Sequence, residues 1–392
     1  MKPVSQVFGS YGTTIFEVMS RLADAHKAIN LGQGFPDDNG PDDVREVAAK
    51  ALCDGPNQYP PMAGIPALRD AVAQHAKRFY GLAIDGRTQV MVTSGATEAL
   101  AASLLGLLNP GDEAIVIEPL YDSYVPIIRA AGATARSIRL SPPSWDVPFD
   151  ALGKAVGPRT KLLLINNPMN PAGKVFTRAE LEAIAAFCVR HDLFVVCDEV
   201  YEHIVFSGAT FIPMISLPGM AGRAVRIGSA GKTFSLTGWK VGYVTAAPEI
   251  LASVAKAHQF LTFTTAPNLQ AGVAYGLAKD DSYFAGLARS MEQKRDRLAD
   301  GLRRIGFEVA RSDGTYFINA DFRPLGFNGG DEEFCRMITE QAGVAAVPVS
   351  AFYLADGVRH YARFCFCKRD AILDEAIGRL ARHFGREAAL AR

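Results

Sequence analysis

"LFVVCDEVY" (193–201) carries an uninterrupted apolar run, Leu193 to Cys197, that ends on two carboxylates, Asp198 and Glu199. A strand with one wet face alternates polar and apolar residues. A continuous apolar run bounded in this way is the pattern of a strand buried on both faces, as in a parallel sheet covered by helices. A carboxylate at the end of such a strand leaves water and needs a cationic or hydrogen-bonding partner.

The same pattern extends in both directions. "QVMVTSG" (89–95), "EAIVIEP" (113–119), "TKLLLINNP" (160–168) and "RAVRIGSAG" (223–231) read as further strands. "ATEALAASLLGLL" (96–108), "YDSYVPIIRAAG" (121–132) and "RAELEAIAAFCVRHD" (178–192) read as helices between them. This alternation predicts an α/β fold with a mostly parallel sheet, in a large domain spanning 46–280. After it, "ARSMEQKRDRLADGLRRIGFEVA" (288–310) reads as a long amphipathic helix leading into a strand. "GTYFINADF" (314–322) and "HYARFCFCK" (360–368) read as strands, with helices at "DEEFCRMITEQAGV" and "AILDEAIGRLARHFG". These predict a smaller α+β domain over 281–392, joined by an N-terminal arm over 1–45.

Bulk properties exclude several function classes. The 392 residues carry 41 Lys+Arg against 41 Asp+Glu, so no net charge draws the chain to nucleic acid or anionic membrane. The 49% hydrophobic and 21% charged composition is that of an ordinary soluble globular protein. The opening "MKPVSQVFGSYGTTIF" has no apolar core of the secretory type, and no uncharged apolar stretch approaches the roughly 20 residues of a membrane span. The six cysteines are scattered, which argues against a disulfide framework and for a reducing, cytoplasmic setting. Cys365 and Cys367, two apart in a strand, share one face and read as buried thiols rather than as a metal site.

Ligands of open α/β sheets bind at the carboxyl ends of the strands. Asn166, Asn167 and Asn170 follow one strand there, Asp198 and Tyr201 another, and Lys232 a third. Lys232 lies in "GSAGKTFSLTGWK" (228–240), whose Gly231-Lys232-Thr233 resembles the end of a phosphate-binding P-loop. That pattern requires glycine at 226, where this chain has Arg226. The small residues around Lys232 instead suggest that something bulky approaches it.

One chemistry uses a lysine, a buried acid, an anion cradle and an aromatic plate together: that of pyridoxal phosphate. Lys232 would form the Schiff base with its aldehyde. An anionic Asp198 would keep its ring nitrogen protonated. "TSGATEA" (93–99) turns from strand into helix, so its amides would face the phosphate. Ser229 and Lys240 would add phosphate contacts, and Tyr121 would stack on the ring.

With these residues in place, the chain resembles the class I, fold-type I pyridoxal-phosphate-dependent aminotransferases along nearly its whole length. The resemblance rests on an ordered set: "NLGQGFPD" (30–37), "NQYPPMAGIPALR" (57–69), "NNPMNPAGKVF" (166–176), "DEVYEHIVF" (198–206), "SAGKTFSLTGWKVGY" (229–243) and "HYARFCFCK" (360–368). "GTTIF", "NQYPPMAG" and "HQFLTF" are similar to the kynurenine/glutamine and bacterial methionine/aromatic branch. The resemblance implies that Lys232 shuttles the proton between substrate and cofactor. It implies that Asn170 and Tyr201 hydrogen-bond the ring's phenolic oxygen, and that the amides of Ala96 and Thr97 hold the phosphate. Arg363 would clamp the substrate α-carboxylate, with the backbone near Gly34 lining the same pocket. Tyr59 and Phe263 would reach into the other subunit's site in a homodimer. The tryptophan that some eukaryotic kynurenine enzymes carry in the N-terminal helix is replaced here by Ile15 or Phe16. Within this reading the donor is expected to be methionine, an aromatic amino acid, glutamine or kynurenine. N-succinyl-diaminopimelate transamination and carbon–sulfur β-elimination are the alternatives.

Overall fold

The computed structural model describes residues 2–390. A seven-stranded sheet forms the centre, in the order Val90–Thr93, Gly242–Ala246, Ala224–Ser229, Phe194–Asp198, Thr160–Asn166, Glu113–Glu118, Thr134–Arg139. Every pairing is parallel except the two made by Gly242–Ala246. All residues of Val90–Thr93, Glu113–Glu118 and Ala224–Ser229 are buried; the first two carry unbroken apolar runs, whereas the third is interrupted by Arg226, which is buried through its ion pairs. Two strands depart from the expected set. Thr134–Arg139 is a largely exposed edge strand of polar residues. Gly242–Ala246 is antiparallel and follows the turn that carries Lys240.

Helices cover both faces. Gly95–Leu107 packs over the Ala224–Ser229 and Gly242–Ala246 strands and against the helix Pro248–Leu261. Arg178–Arg190 begins with a capping box, in which Thr177 and Glu180 satisfy each other's backbone amides. Its buried Leu181, Ile184, Ala185 and Cys188 join the core on the opposite side of the sheet.

The helix Asp281–Ile305 begins seven residues earlier than the sequence pattern suggests and ends at Gly306, whose φ of 116° is a left-handed cap. Beyond it lies an antiparallel four-stranded sheet, ordered Val347–Pro348, Tyr361–Cys365, Phe317–Asp321, Glu308–Val309. The N-terminal segment joins this part of the chain, because Ile29–Asn30 pairs in parallel with Val344–Ala345. No helix among the described residues is long and apolar enough to cross a membrane.

Behind the central sheet, Arg226 is fully buried between two carboxylates. It donates from Nε to Glu199 at 2.7 Å and from Nη2 to Glu202. Glu202 also accepts from the hydroxyls of Tyr80 at 2.5 Å and Tyr243 at 3.1 Å. Arg226, the residue that breaks the P-loop pattern, thus anchors the segment that follows Asp198.

Candidate active site

A cavity of about 420 Å³ opens at the carboxyl ends of the parallel strands, between the two sheets. The structure brings together Lys232, Asp198, Tyr201, Asn170, Tyr121 and Arg363 on its walls. Ala96, Thr97, Ser229, Lys240 and Gly34 also line it. Tyr59 and Phe263 do not. Tyr59 is 84% exposed and its ring meets that of Phe263 edge-on, with centroids 5.4 Å apart, on the surface.

Asp198 ends its strand, so its side chain emerges at the cavity floor. Burial raises its carboxyl pKa, while the Tyr124 hydroxyl, the Val200 amide and the Lys232 charge oppose the rise. Tyr124 Oη donates to Oδ2 at 2.6 Å. Oδ1 is buried with no hydrogen-bond partner among the described residues. A protonated pyridine nitrogen supplies the donor and the positive charge that this oxygen calls for.

Lys232 sits on the short helix Ala230–Thr233, directly after a strand. Desolvation lowers its pKa and Arg363 adds to the lowering, while Cys367, Cys365 and Asp198 act in the other direction. Its Nζ donates to the Gly34 carbonyl at 3.0 Å and lies 5.4 Å from the ring centroids of Tyr201 and Tyr316. Tyr316, which belongs to the four-stranded-sheet side of the chain, donates from Oη to the Lys232 carbonyl at 2.9 Å.

The glycines near Lys232 need a correction. They were expected to make room for a bulky ligand, but a Cβ on Gly228 would fall 2.0 Å from the Tyr243 ring. One on Gly231 would meet the Thr237 backbone at 3.0 Å. Both are small chiefly because the protein's own atoms approach them.

The anion cradle has the expected form. Gly95, at φ 79°, turns the chain from strand into the helix Gly95–Leu107. The first amides of a helix have no partner within it and carry its positive end. A Cβ on Gly95 would lie 3.3 Å from Lys240 Nζ, so the ammonium stands directly beside this turn. Glu98 is occupied elsewhere: it accepts from the Ser94 amide at 3.1 Å and pairs with His258 Nδ1 at 3.0 Å. Backbone amides, a hydroxyl and an ammonium at one end, with an orphaned carboxylate oxygen at the other, fit the phosphate and the ring of pyridoxal phosphate.

Arg363 lies mid-strand in Tyr361–Cys365 and is almost wholly buried. Its Nη1 donates to Asn170 Oδ1 at 2.9 Å and its Nη2 to the Gly32 carbonyl at 2.6 Å. The guanidinium stands 3.9 Å from the Phe317 ring centroid, with Phe352 and Phe16 at 4.9 and 5.2 Å. Burial lowers its pKa to about 10, so it remains a cation at neutral pH. It pairs with no carboxylate among the described residues, so a role in a structural ion pair is not supported.

Two contributors were not read from the sequence. Tyr124 lies 74 positions from Asp198, and nothing local announces their bond. Asn166 stands out in the sequence only for its position at a strand end. Its Nδ2 donates to the Asp198 carbonyl at 2.8 Å, and its Oδ1 accepts from the Asn170 amide at 2.7 Å. With the Asn170–Arg363 bond, this forms a relay from the floor of the cavity to its cationic wall.

Fold and cavity together define a fold-type I transferase, and the chain belongs to the aminotransferase class I and II family, whose model matches residues 26–380. It is an aminotransferase, a class that works with pyridoxal phosphate. Among known proteins it is 47% identical over 382 residues to a probable N-succinyldiaminopimelate aminotransferase of Mycobacterium tuberculosis, covering 95% of this chain and 96% of that one. It is 41% identical over 370 residues to the methionine aminotransferase of Escherichia coli K12, covering 94% and 95%. The solved structure of an N-succinyldiaminopimelate aminotransferase from Mycobacterium tuberculosis superposes with a TM-score of 0.95 at 46% identity, over 97% of this chain and all of that one.

Proposed function

We propose that this chain binds pyridoxal 5′-phosphate and moves the amino group of an L-amino acid with a neutral side chain to a 2-oxo acid. Methionine, an aromatic amino acid, glutamine and kynurenine are the donors in question. The observation that carries the cofactor is the unpartnered, buried Oδ1 of Asp198 at the floor of a cavity that also holds Lys232. When bound, the cofactor supplies an aldehyde carbon and a ring that withdraws electrons from the substrate Cα.

The chain's own residues do the rest. The Ala96 and Thr97 amides, Ser229 and Lys240 hold the phosphate. Asp198, steadied by Tyr124, keeps the ring nitrogen protonated. Asn170 through Nδ2 and Tyr201 through its hydroxyl orient the ring, while Tyr121 stacks on it. Arg363 grips the donor's α-carboxylate beside Gly34. Lys232 Nζ, its basicity lowered by desolvation, takes the proton from the donor's Cα and redelivers it.

The side-chain preference rests on what lines the cavity. Phe16, Phe35 and Tyr121 contribute apolar surface, and Arg363 is the one guanidinium of this chain on its walls among the described residues. A donor with a second carboxylate finds no further arginine there. Leaving that charge unpaired costs several kcal/mol, so kcat/KM for methionine should exceed that for aspartate by about a hundredfold. Steady-state rates with one fixed oxo acid check this, and aspartate as best donor would overturn it. N-succinyl-diaminopimelate is the second reading, supported by the 47% identity to the mycobacterial relative. The same assay includes it, and its use as best donor would replace the neutral-donor reading.

We further propose a cytoplasmic homodimer with shared active sites. The six cysteines are free, which suits a reducing compartment. Tyr59 and Phe263 form an exposed aromatic pair outside this chain's own cavity, with Phe260 nearby in sequence and 83% exposed. Mixing inactive Lys232→Ala protein with Tyr59→Phe or Phe263→Ala protein should restore part of the activity through hybrid dimers. A fully active monomer in sedimentation would end the shared-site reading.

A further inference from the structure

The strand Phe317–Asp321 is buried throughout, and its middle residue, Asn319, is an amide where an interior strand ordinarily carries an apolar side chain. An amide taken out of water is costly unless its donors and acceptor are met. Asn319 faces Arg363 directly across the antiparallel ladder, so both side chains leave the same face of the sheet. Its Nδ2 donates to the Pro171 carbonyl at 2.8 Å, and the residue before Pro171, Asn170, accepts from Arg363 Nη1 at 2.9 Å. The two facing side chains thus reach consecutive residues of one loop. The Pro171 bond fixes the orientation of the amide, because only its NH2 end can satisfy a carbonyl. That leaves Oδ1 as a buried acceptor with no partner among the described residues, and Arg363 Nε is a buried donor in the same condition. Nε is the guanidinium nitrogen nearest the main chain, and so the nearest to the facing residue. The rest of the group runs on over the Phe317 ring, 3.9 Å from its centroid.

We propose that Asn319 is a positioning residue for Arg363: it pins the Asn170–Pro171 loop to which the guanidinium is bonded and offers Oδ1 to Nε, so that the outer edge of the guanidinium stays turned to the donor's α-carboxylate. The inference rests on the reading of Arg363 as the carboxylate clamp and adds the residue that aims it. Asn319 does not itself line the cavity, so it acts through Arg363. A guanidinium has five N–H groups, two on each Nη and one on Nε. Nη1 and Nη2 each spend one, on Asn170 and the Gly32 carbonyl, and each keeps one for a carboxylate. That bidentate grip depends on the plane of the fork, and a small rotation splits it. An apolar side chain at 319 would leave the Pro171 carbonyl and Nε both unmet and free the loop and the fork to turn together.

The test uses holoenzyme carrying Asn319→Leu, close to the native volume, or Asn319→Ala, which cannot overpack the strand, with Arg363→Lys beside them. Two quantities are read: KM and kcat for the donor that the wild type uses best, and the spectral titration of the bound cofactor with methylamine, an amine without a carboxylate. KM should rise about tenfold in both Asn319 variants, the scale of one buried hydrogen bond lost, while kcat changes less. The methylamine titration should match wild type, because nothing in it calls on Arg363. Near-ultraviolet circular dichroism and the cofactor band confirm that each variant is folded and loaded. An unchanged KM in both Asn319 variants, with a raised KM in Arg363→Lys, overturns the proposal and leaves the clamp reading standing. An unchanged KM in Arg363→Lys overturns the clamp reading, and the proposal with it. Equal losses for the donor and for methylamine, or loss of the cofactor band, mark a merely structural role and also overturn it.

Discussion

Lys232→Ala is expected to lower kcat by about four orders of magnitude or more, since it removes both the covalent anchor and the general base. Wild-type protein should be yellow, and borohydride should bleach the band by fixing the cofactor to Lys232 as a secondary amine. The variant should retain the cofactor through Asp198 and the phosphate cradle, but borohydride should not attach it to the protein. Peptide mass spectrometry reads this directly, without reference to turnover. Cofactor fixed to another lysine, or a variant with wild-type turnover, would remove Lys232 from the centre of the scheme. The lowered pKa of the free amine favours this role, because an ammonium cannot act as nucleophile or base.

Asp198→Ala should cost about 10²–10³ in kcat, the range for deleting one preorganised charge that acts mainly in the transition state. The loss in cofactor affinity should be smaller, because the phosphate contacts remain. Equal and modest losses in both would reduce Asp198 to a binding residue. The absorption spectrum offers a second readout, since it would report the protonation of the ring nitrogen that Asp198 is proposed to pair with. Tyr124→Phe is the companion variant. It leaves the carboxylate in place and removes only the bond at 2.6 Å, so its effect should lie between wild type and Asp198→Ala.

Much of this was legible because buried strands and polar strand ends leave strong marks. The runs ending at Thr93, Asn166 and Asp198 are continuous and apolar, the one ending at Ser229 is broken only by Arg226, and each delivers its next residues to one edge of the sheet. Thr134–Arg139 left no such mark, because an edge strand open to water carries no apolar run. Gly242–Ala246 was hidden in a motif noted for its lysines, and its antiparallel direction depends on the turn at Lys240, where φ is 52°. The partners of the site residues were harder still. Tyr124 and Asn166 become significant only when the chain brings distant segments to one cavity, and spacing along the sequence does not encode that meeting. Two glycines near Lys232 answer to the chain itself, Gly228 to the Tyr243 ring and Gly231 to the Thr237 backbone, although Gly231 and Ser229 also line the cavity.

The bond from Tyr316 to the main chain of Lys232 bears on how this protein can be recombined. Lys232, the proposed reacting residue, is fastened by the C-terminal portion, while Arg363 from that portion is fastened to Asn170 and Gly32 of the rest. The two halves of the molecule therefore hold each other's key groups by reciprocal latches. A chimera that imports a C-terminal segment from a relative inherits a new latch on the lysine as well as a new substrate wall. Chimeras that keep Tyr316, Asn170 and Arg363 as one matched set preserve the spacing between amine and guanidinium. Such sets, rather than a linear cut near residue 280, are the natural units of exchange.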